Sequence, residues 1–219
     1  MRPPGCLRYL LANLPQCKKD RQGGFERGLA SMQYSVGRPD MVRAINQRWL
    51  LKFWKRHASG GTLPAWQAVE AENLTRVEDN LSFLDVTGDG EIKRFQIRRH
   101  GRNVAKVYGA PDCSGRFLDE VIPIARHQTG LMPYYRAYST GVPVYTICEV
   151  KDKDGRLILF ERLILPFGIG GPAVVRIVSA FEFVCEDGSF DTAALAKLHH
   201  GAPTLRLCAV IDAQQHQSS

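Results

Sequence analysis

Between Val142 and Cys185 the chain holds three β-prone apolar stretches, Val142–Val150, Arg156–Phe167 and Ala173–Cys185, parted only by short turns. Turns of that length leave no room for a crossover, so the three strands must run antiparallel to one another. An earlier hairpin is signalled by Leu81–Val86, by Thr87-Gly88-Asp89-Gly90 with its tight Asp-Gly pair, and by a return strand carrying Ile92, Phe95 and Ile97. Between hairpin and meander, Gly109, Pro111 and Gly115 allow only short helices, and Pro123–Ser139 reads as a longer helix interrupted at Pro133. A hairpin, a helical crossover and a three-strand meander predict an α+β fold: one five-stranded antiparallel sheet with helices on one face. Beyond it, a short helix from Asp191 to His200 and a β-prone run, Leu205–Ile211, are expected.

Upstream, Pro39-Asp40 offers a helix start, and Val42, Ile45, Trp49 and Phe53 recur at three- and four-residue spacing up to Gly60-Gly61. The other side of this amphipathic helix is basic, with Arg48, Lys52, Lys55 and Arg56. Its apolar stripe is too large to stay bare, so Val42, Ile45, Trp49 and Phe53 are candidate interface residues. They would cover the sheet, a second copy of the chain, or a membrane surface. The expected organisation is a basic, disordered extension at 1–38, the helix at 39–60, the folded body at 61–212 and a polar tail at 213–219.

Charge follows the same division. The net charge is +7, but residues 1–57 hold twelve Lys and Arg against three Asp and Glu, and the remainder holds seventeen against nineteen. A basic extension attracts nucleic acid, anionic lipid or an acidic protein surface, or simply keeps the chain soluble. At 44% hydrophobic the chain is not disordered throughout, and no apolar run reaches the roughly 18 residues of a membrane span. Six cysteines without a C-x-x-C pair fit reduced thiols, and with no cleavable leader at the start the expected location is the cytoplasm.

Catalytic signatures are missing. There is no phosphate loop, nucleophile elbow or zinc-helix motif, and Gly168-Ile169-Gly170-Gly171 lies between two strands, so it reads as a hairpin turn. Asp85, Asp89 and Glu91 lack calcium-loop spacing, so no metal is expected. The candidate site is instead a pocket between sheet and crossover helix. Strand alternation nominates Phe83, Phe95, Ile97, Tyr145, Ile147, Leu163 and Leu165, and the helix side adds Leu131, Tyr134 and Tyr135. Such a wall suits a small, partly apolar ligand, or is plain core. Arg98 and Glu161 both fall in predicted strands, where a cross-strand ion pair is one expectation and separate solvation the other.

Several pieces in order carry a family resemblance. They are Trp49, Gly60-Gly61-Thr62-Leu63-Pro64, Phe83-Leu84-Asp85-Val86, Phe95-Gln96-Ile97-Arg98 with Gly101, Gly109 with Ser114-Gly115-Arg116, Gly141-Val142-Pro143, and Phe160 to Phe167. Over about Trp49 to Phe183 the chain resembles PAS domains, in particular the short stand-alone PAS-like proteins of bacteria. Arg99-His100 stands where the family usually has apolar residues, and Val142 replaces a common arginine. The resemblance implies a non-catalytic sensory or protein-interaction module that passes its signal to a separate protein or works as a homodimer. It also puts His127 where haem-binding members carry an axial ligand. Polar Arg126 and Gln128 beside it argue against haem, so no cofactor is expected. The alternative function is a nucleic-acid-binding adaptor that uses the basic extension, with the body as dimeriser. As partners, a small ligand and a peripheral membrane contact remain open, and nucleic acid is disfavoured.

Overall fold

The computed structural model describes residues 32–58, 62–88, 93–108, 113–151, 157–185 and 203–212. The calls on the rest of 1–38, on Asp89 to Ile92, on 152–155, on Asp191–His200 and on the tail lie outside the described residues. Seven strands form one sheet: β1 (Ser35–Gly37), β2 (Leu81–Thr87), β3 (Arg94–His100), β4 (Val144–Lys151), β5 (Leu157–Phe167), β6 (Arg176–Cys185) and β7 (Thr204–Ile211). Their order is β1-β7-β4-β5-β6-β2-β3. The five-strand expectation is therefore corrected to seven. The β-prone run at the end joins the sheet as β7, antiparallel to β4, and β1 pairs parallel to β7. The sequence places Ser35–Gly37 in the extension, because three residues carry no readable alternation.

The helices are α1 (Ile45–His57), α2 (Trp66–Ala71), α3 (Arg102–Tyr108), α4 (Leu118–Val121), α5 (His127–Gly130) and α6 (Met132–Thr140). Pro133 stands in the first turn of α6, where its missing N–H costs nothing, so the expected interruption is a helix start. Gly141 ends α6 in the left-handed region at φ 66°, and its N–H bonds the Ala137 carbonyl at 2.9 Å. Around Pro39-Asp40 the chain makes a 3-10 turn and then extends, so α1 begins at Ile45 and not near residue 40.

Side chains alternate between the two sheet faces, and residues paired across strands share a face. One face holds the rows Tyr145–Leu163–Ala180–Leu81 and Leu165–Val178–Phe83. The other holds Cys208–Thr146–Arg162–Phe181 and Val144–Ile164–Ser179–Ser82. We call the second face inner, because α5 and α6 lie over it. Phe95 packs against Tyr134 and Tyr135 there, with ring centres 5.8 and 4.8 Å apart. Helices α1 and α2 cover the outer face, so the helices are not confined to one side. Trp54 of α1 donates Nε1–H to the Pro166 carbonyl at 2.6 Å, and Trp66 of α2 meets Phe83 and Phe167 edge-on.

Helix α1 is held by Leu50, Leu51, Phe53 and Trp54, all buried. The expected stripe is corrected accordingly. Val42 and Phe53 are buried within this chain's own core, Trp49 is half-buried beside Phe53, and Ile45 is 70% exposed. Helical spacing was read one step out of phase because Val42 lies before the helix, so it sets no face.

Candidate functional site

Arg162 stands in the middle of β5 on the inner face and is 1% exposed. A buried guanidinium needs acceptors. Nη1 donates to the Gly130 carbonyl at 2.7 Å and Nη2 to the Thr129 carbonyl at 2.8 Å, the last carbonyls of α5, where a cation is electrostatically favoured. The same group lies 5.0 Å from the centre of the Tyr134 ring. Strand register sets Thr146 directly beside Arg162, with Ser179 one row along.

Around this arginine, three buried hydroxyls, Thr146 Oγ1, Ser179 Oγ and Tyr134 OH, have no hydrogen-bond partner among the described residues. Leaving a buried hydroxyl unmet costs on the order of 1–3 kcal/mol, and valine, alanine and phenylalanine would fill the same volumes without that cost. The arrangement offers a small polar molecule, or ordered water, several donors and acceptors at once. Cys148 and Cys208 line the same face as free thiols. Burial pushes the Cys208 thiol up to about 12 and raises Cys148 as well, with Arg162 opposing both. Thiols held protonated in this way are not activated nucleophiles. Burial also raises the Tyr34 phenol, which sits under the Arg136 guanidinium at 5.1 Å from its ring centre.

On the outer face the neighbouring residue, Glu161, is 3% exposed. Tyr145 donates its hydroxyl to Glu161 Oε2 at 2.6 Å, and the Arg43 guanidinium lies 3.9 Å from Oε1. Burial and this carboxylate both drive the Tyr145 phenol upward. Gln47 of α1 donates to the Glu161 and Ala180 carbonyls at 3.2 and 2.9 Å. Asn46 donates to Glu182 at 3.4 Å, whose carboxyl is raised by burial and, less strongly, by Glu161.

The ten nominated pocket residues do not face one space. Phe95, Ile97, Leu131, Tyr134 and Tyr135 belong to the inner side, whereas Phe83, Tyr145, Ile147, Leu163 and Leu165 point to the outer face. Ile147 lines an open outer groove of about 560 Å³ with Met41, Leu159 and Leu207, and Phe83 lines another of about 510 Å³ with Trp66 and Leu74. Both strands of the central pair are buried on each side, so apolar alternation carries no phase there. Arg162, Thr146 and Ser179 were missed. The available signal was polarity, a charged residue and two hydroxyls inside otherwise apolar runs.

His127 is buried, and its Nε2 lies 2.8 Å from the Ile122 carbonyl, which ties that nitrogen to backbone. Arg98 and Glu161 are on different strands separated by β6 and β2. Arg98 instead lies 3.6 Å from Asp85, so the expected pairing is corrected. Among the described residues, no three His, Cys, Asp or Glu side chains are grouped to hold a metal ion, and no helix is long and apolar enough to cross a membrane.

No family model matches the chain, and no curated protein matches it. Among solved structures it is similar to the light-state structure of the blue-light photoreceptor Aureochrome1 LOV, at 16% identity and a TM-score of 0.37. That alignment covers 52% of this chain and 88% of the other. A likeness at this score says nothing about ligand or activity.

Proposed function

We propose that this protein is a non-catalytic PAS-type sensory module whose ligand sits on the inner sheet face beside Arg162. The reading is supported by a contiguous antiparallel block, β4-β5-β6-β2-β3, with the crossover helices α5 and α6 over it. One observation carries it: three buried hydroxyls, without partners among the described residues, lie around a buried guanidinium. The ligand class that fits is small, with polar atoms for the hydroxyls and an apolar part against Phe95 and Ile164. Tyr145 and Glu161 adjoin Thr146 and Arg162 in sequence and carry α1 on the opposite face, so a shift of β4 or β5 reaches α1. With Val42 and Phe53 spent in the core, a dimer through that stripe is not part of the proposal.

Native mass spectrometry of the full chain, purified from its own host without denaturant, tests this reading. The expected result is a stoichiometric small-molecule adduct that is lost in Thr146→Ile and Ser179→Leu, each of which removes a hydroxyl and enlarges a buried side chain beside Arg162. A bare chain across preparations, or an adduct unchanged in both variants, overturns it.

A further inference from the structure

Ion pairing is common among arginines on the described surface. Arg38 meets Asp40, Arg94 meets Asp119 and Glu120, Arg99 meets Glu78, Arg102 meets Asp79, Arg176 meets Asp85, and Arg206 meets Glu149, all within 4 Å. Arg76 and Arg116 bond an asparagine and a backbone carbonyl instead, and the solvent side of α1 gathers several cations without a carboxylate. Arg48 and Lys52 are exposed and Lys55 is half-exposed, and none of the three has a carboxylate within 4 Å among the described residues. Arg56, one turn beyond Lys52, is paired with Glu72 at 3.5 Å and lies over the Phe53 ring, so it is set apart from these three.

Positions 48, 52 and 55 lie at steps of four and three residues, about 6 and 4.5 Å apart along the helix, so they share one face as a cationic stripe. Like charges at this spacing repel, although Lys55 in the last turn is favoured by the negative end of the helix. What it can bind is limited by what α1 has already used. Leu50, Leu51, Phe53 and Trp54 are buried in this chain's own core. The helix therefore has no apolar face to insert into a bilayer. Apart from Ile45 at its first position and the half-buried Trp49, it also offers no apolar centre of the kind a protein interface needs. A partner must be recognised by negative charge alone, repeated at short intervals along a line.

We infer that the outer face of α1 is a docking surface for the phosphate backbone of a nucleic acid, contacted through Arg48, Lys52 and Lys55 without base recognition. The contacts are phosphate contacts, which fix position and carry no sequence information. The +9 balance of residues 1–57 has the sign such a partner requires. This inference does not depend on a ligand at Arg162, since the two lie on opposite faces of the sheet.

The test is fluorescence anisotropy of a labelled 24-base-pair duplex of mixed sequence titrated with the full chain over a series of sodium chloride concentrations. Binding is expected to weaken linearly on a log–log plot, with a slope of about −2.7 or steeper for three or more phosphate contacts. The variant Arg48→Gln/Lys52→Gln/Lys55→Gln, with its melting temperature checked against the parent, should bind at least tenfold more weakly at the lowest salt. Its slope should be shallower by about 2.7. Absence of binding at the lowest salt overturns the inference. So does a triple variant that keeps the parent's slope, since cations elsewhere would then carry the binding. Vesicles of phosphatidylglycerol form the second arm: tighter binding to them than to duplex, lost in the triple variant, assigns the stripe to a membrane instead.

Discussion

Glu161 and Arg162 are consecutive residues of β5, both almost fully buried and both ionisable, yet their surroundings are finished to different degrees. On the outer face, the Glu161 carboxylate accepts the Tyr145 hydroxyl, and Gln47 brings α1 down onto the backbone of the same strand. On the inner face, Arg162 is bonded to the end of α5, but the hydroxyls of Thr146, Ser179 and Tyr134 beside it have no partner among the described residues. The outer joint leaves one buried acceptor, Gln47 Oε1, without a partner among the described residues, against three hydroxyls on the inner face. The inner face holds more polarity than its own framework uses, and that surplus is what marks it as a site.

The largest effect should come from removing the inner cation. Arg162→Met keeps a long apolar stem but releases the Thr129 and Gly130 carbonyls, each bonded to a charged donor at a worth of about 1.5–3 kcal/mol. A loss of about 3 kcal/mol or more is expected in urea unfolding. Arg162→Lys should recover little of it, because a point charge does not span two carbonyls as a planar fork does. A loss below about 1 kcal/mol would show that α5 is not anchored through this residue.

On the outer face, Tyr145→Phe takes a donor from a buried carboxylate and should cost about 2 kcal/mol in the same assay. Glu161→Gln in that background should then cost less than it does alone, because the two groups share one bond. Additive losses would mean that the 2.6 Å contact contributes no coupling.

Alkaline pH tests both faces together. Burial raises the Tyr135 phenol from 10.0 to about 12 and the Cys208 thiol from 9.0 to about 12 on the inner face, and raises Tyr145 on the outer one. The folded chain therefore keeps these protons to higher pH than the unfolded chain. Stability from them is complete below the unfolded values and drains as pH rises from about 9 through the folded values. Urea midpoints should be level from pH 7 to 8.5 and fall steadily from pH 9 to 11, less steeply in Tyr145→Phe. A level profile to pH 11 would contradict the burial of all three groups.

How much of this was legible in the sequence also divides by face. The antiparallel strands β2 to β6 follow from run lengths and turn residues, and Pro133 marks a helix boundary, though as the start of α6. Facing does not follow. Val144 to Cys148 and Glu161 to Phe167 are buried without interruption, so hydrophobicity has no period of two from which to set the phase. Half of the nominated pocket was consequently assigned to the wrong side. What does set the phase is a long-range contact, Arg162 with α5, and β1 is fixed only by pairing with residues more than 170 positions away. Neither relation has a local signature.

The smallest expected effect gives the sharpest comparison, because it sets two adjacent residues of β4 against each other. Tyr145 and Thr146 are both fully buried, and each carries one hydroxyl. The first has a partner on the outer face, and the second has none among the described residues on the inner one. Thr146→Val exchanges a hydroxyl for a methyl of nearly the same size. In ligand-free protein it should therefore leave stability unchanged or raise it by up to about 1 kcal/mol, the opposite sign to Tyr145→Phe. Urea unfolding of both variants beside the parent reads this directly. If Thr146→Val instead costs 1 kcal/mol or more, its hydroxyl has a partner in solution, and the two faces are equally complete. In that event Ser179→Ala distinguishes the partners. A bridging water held by both hydroxyls makes the two losses less than additive, whereas separate partners leave them additive.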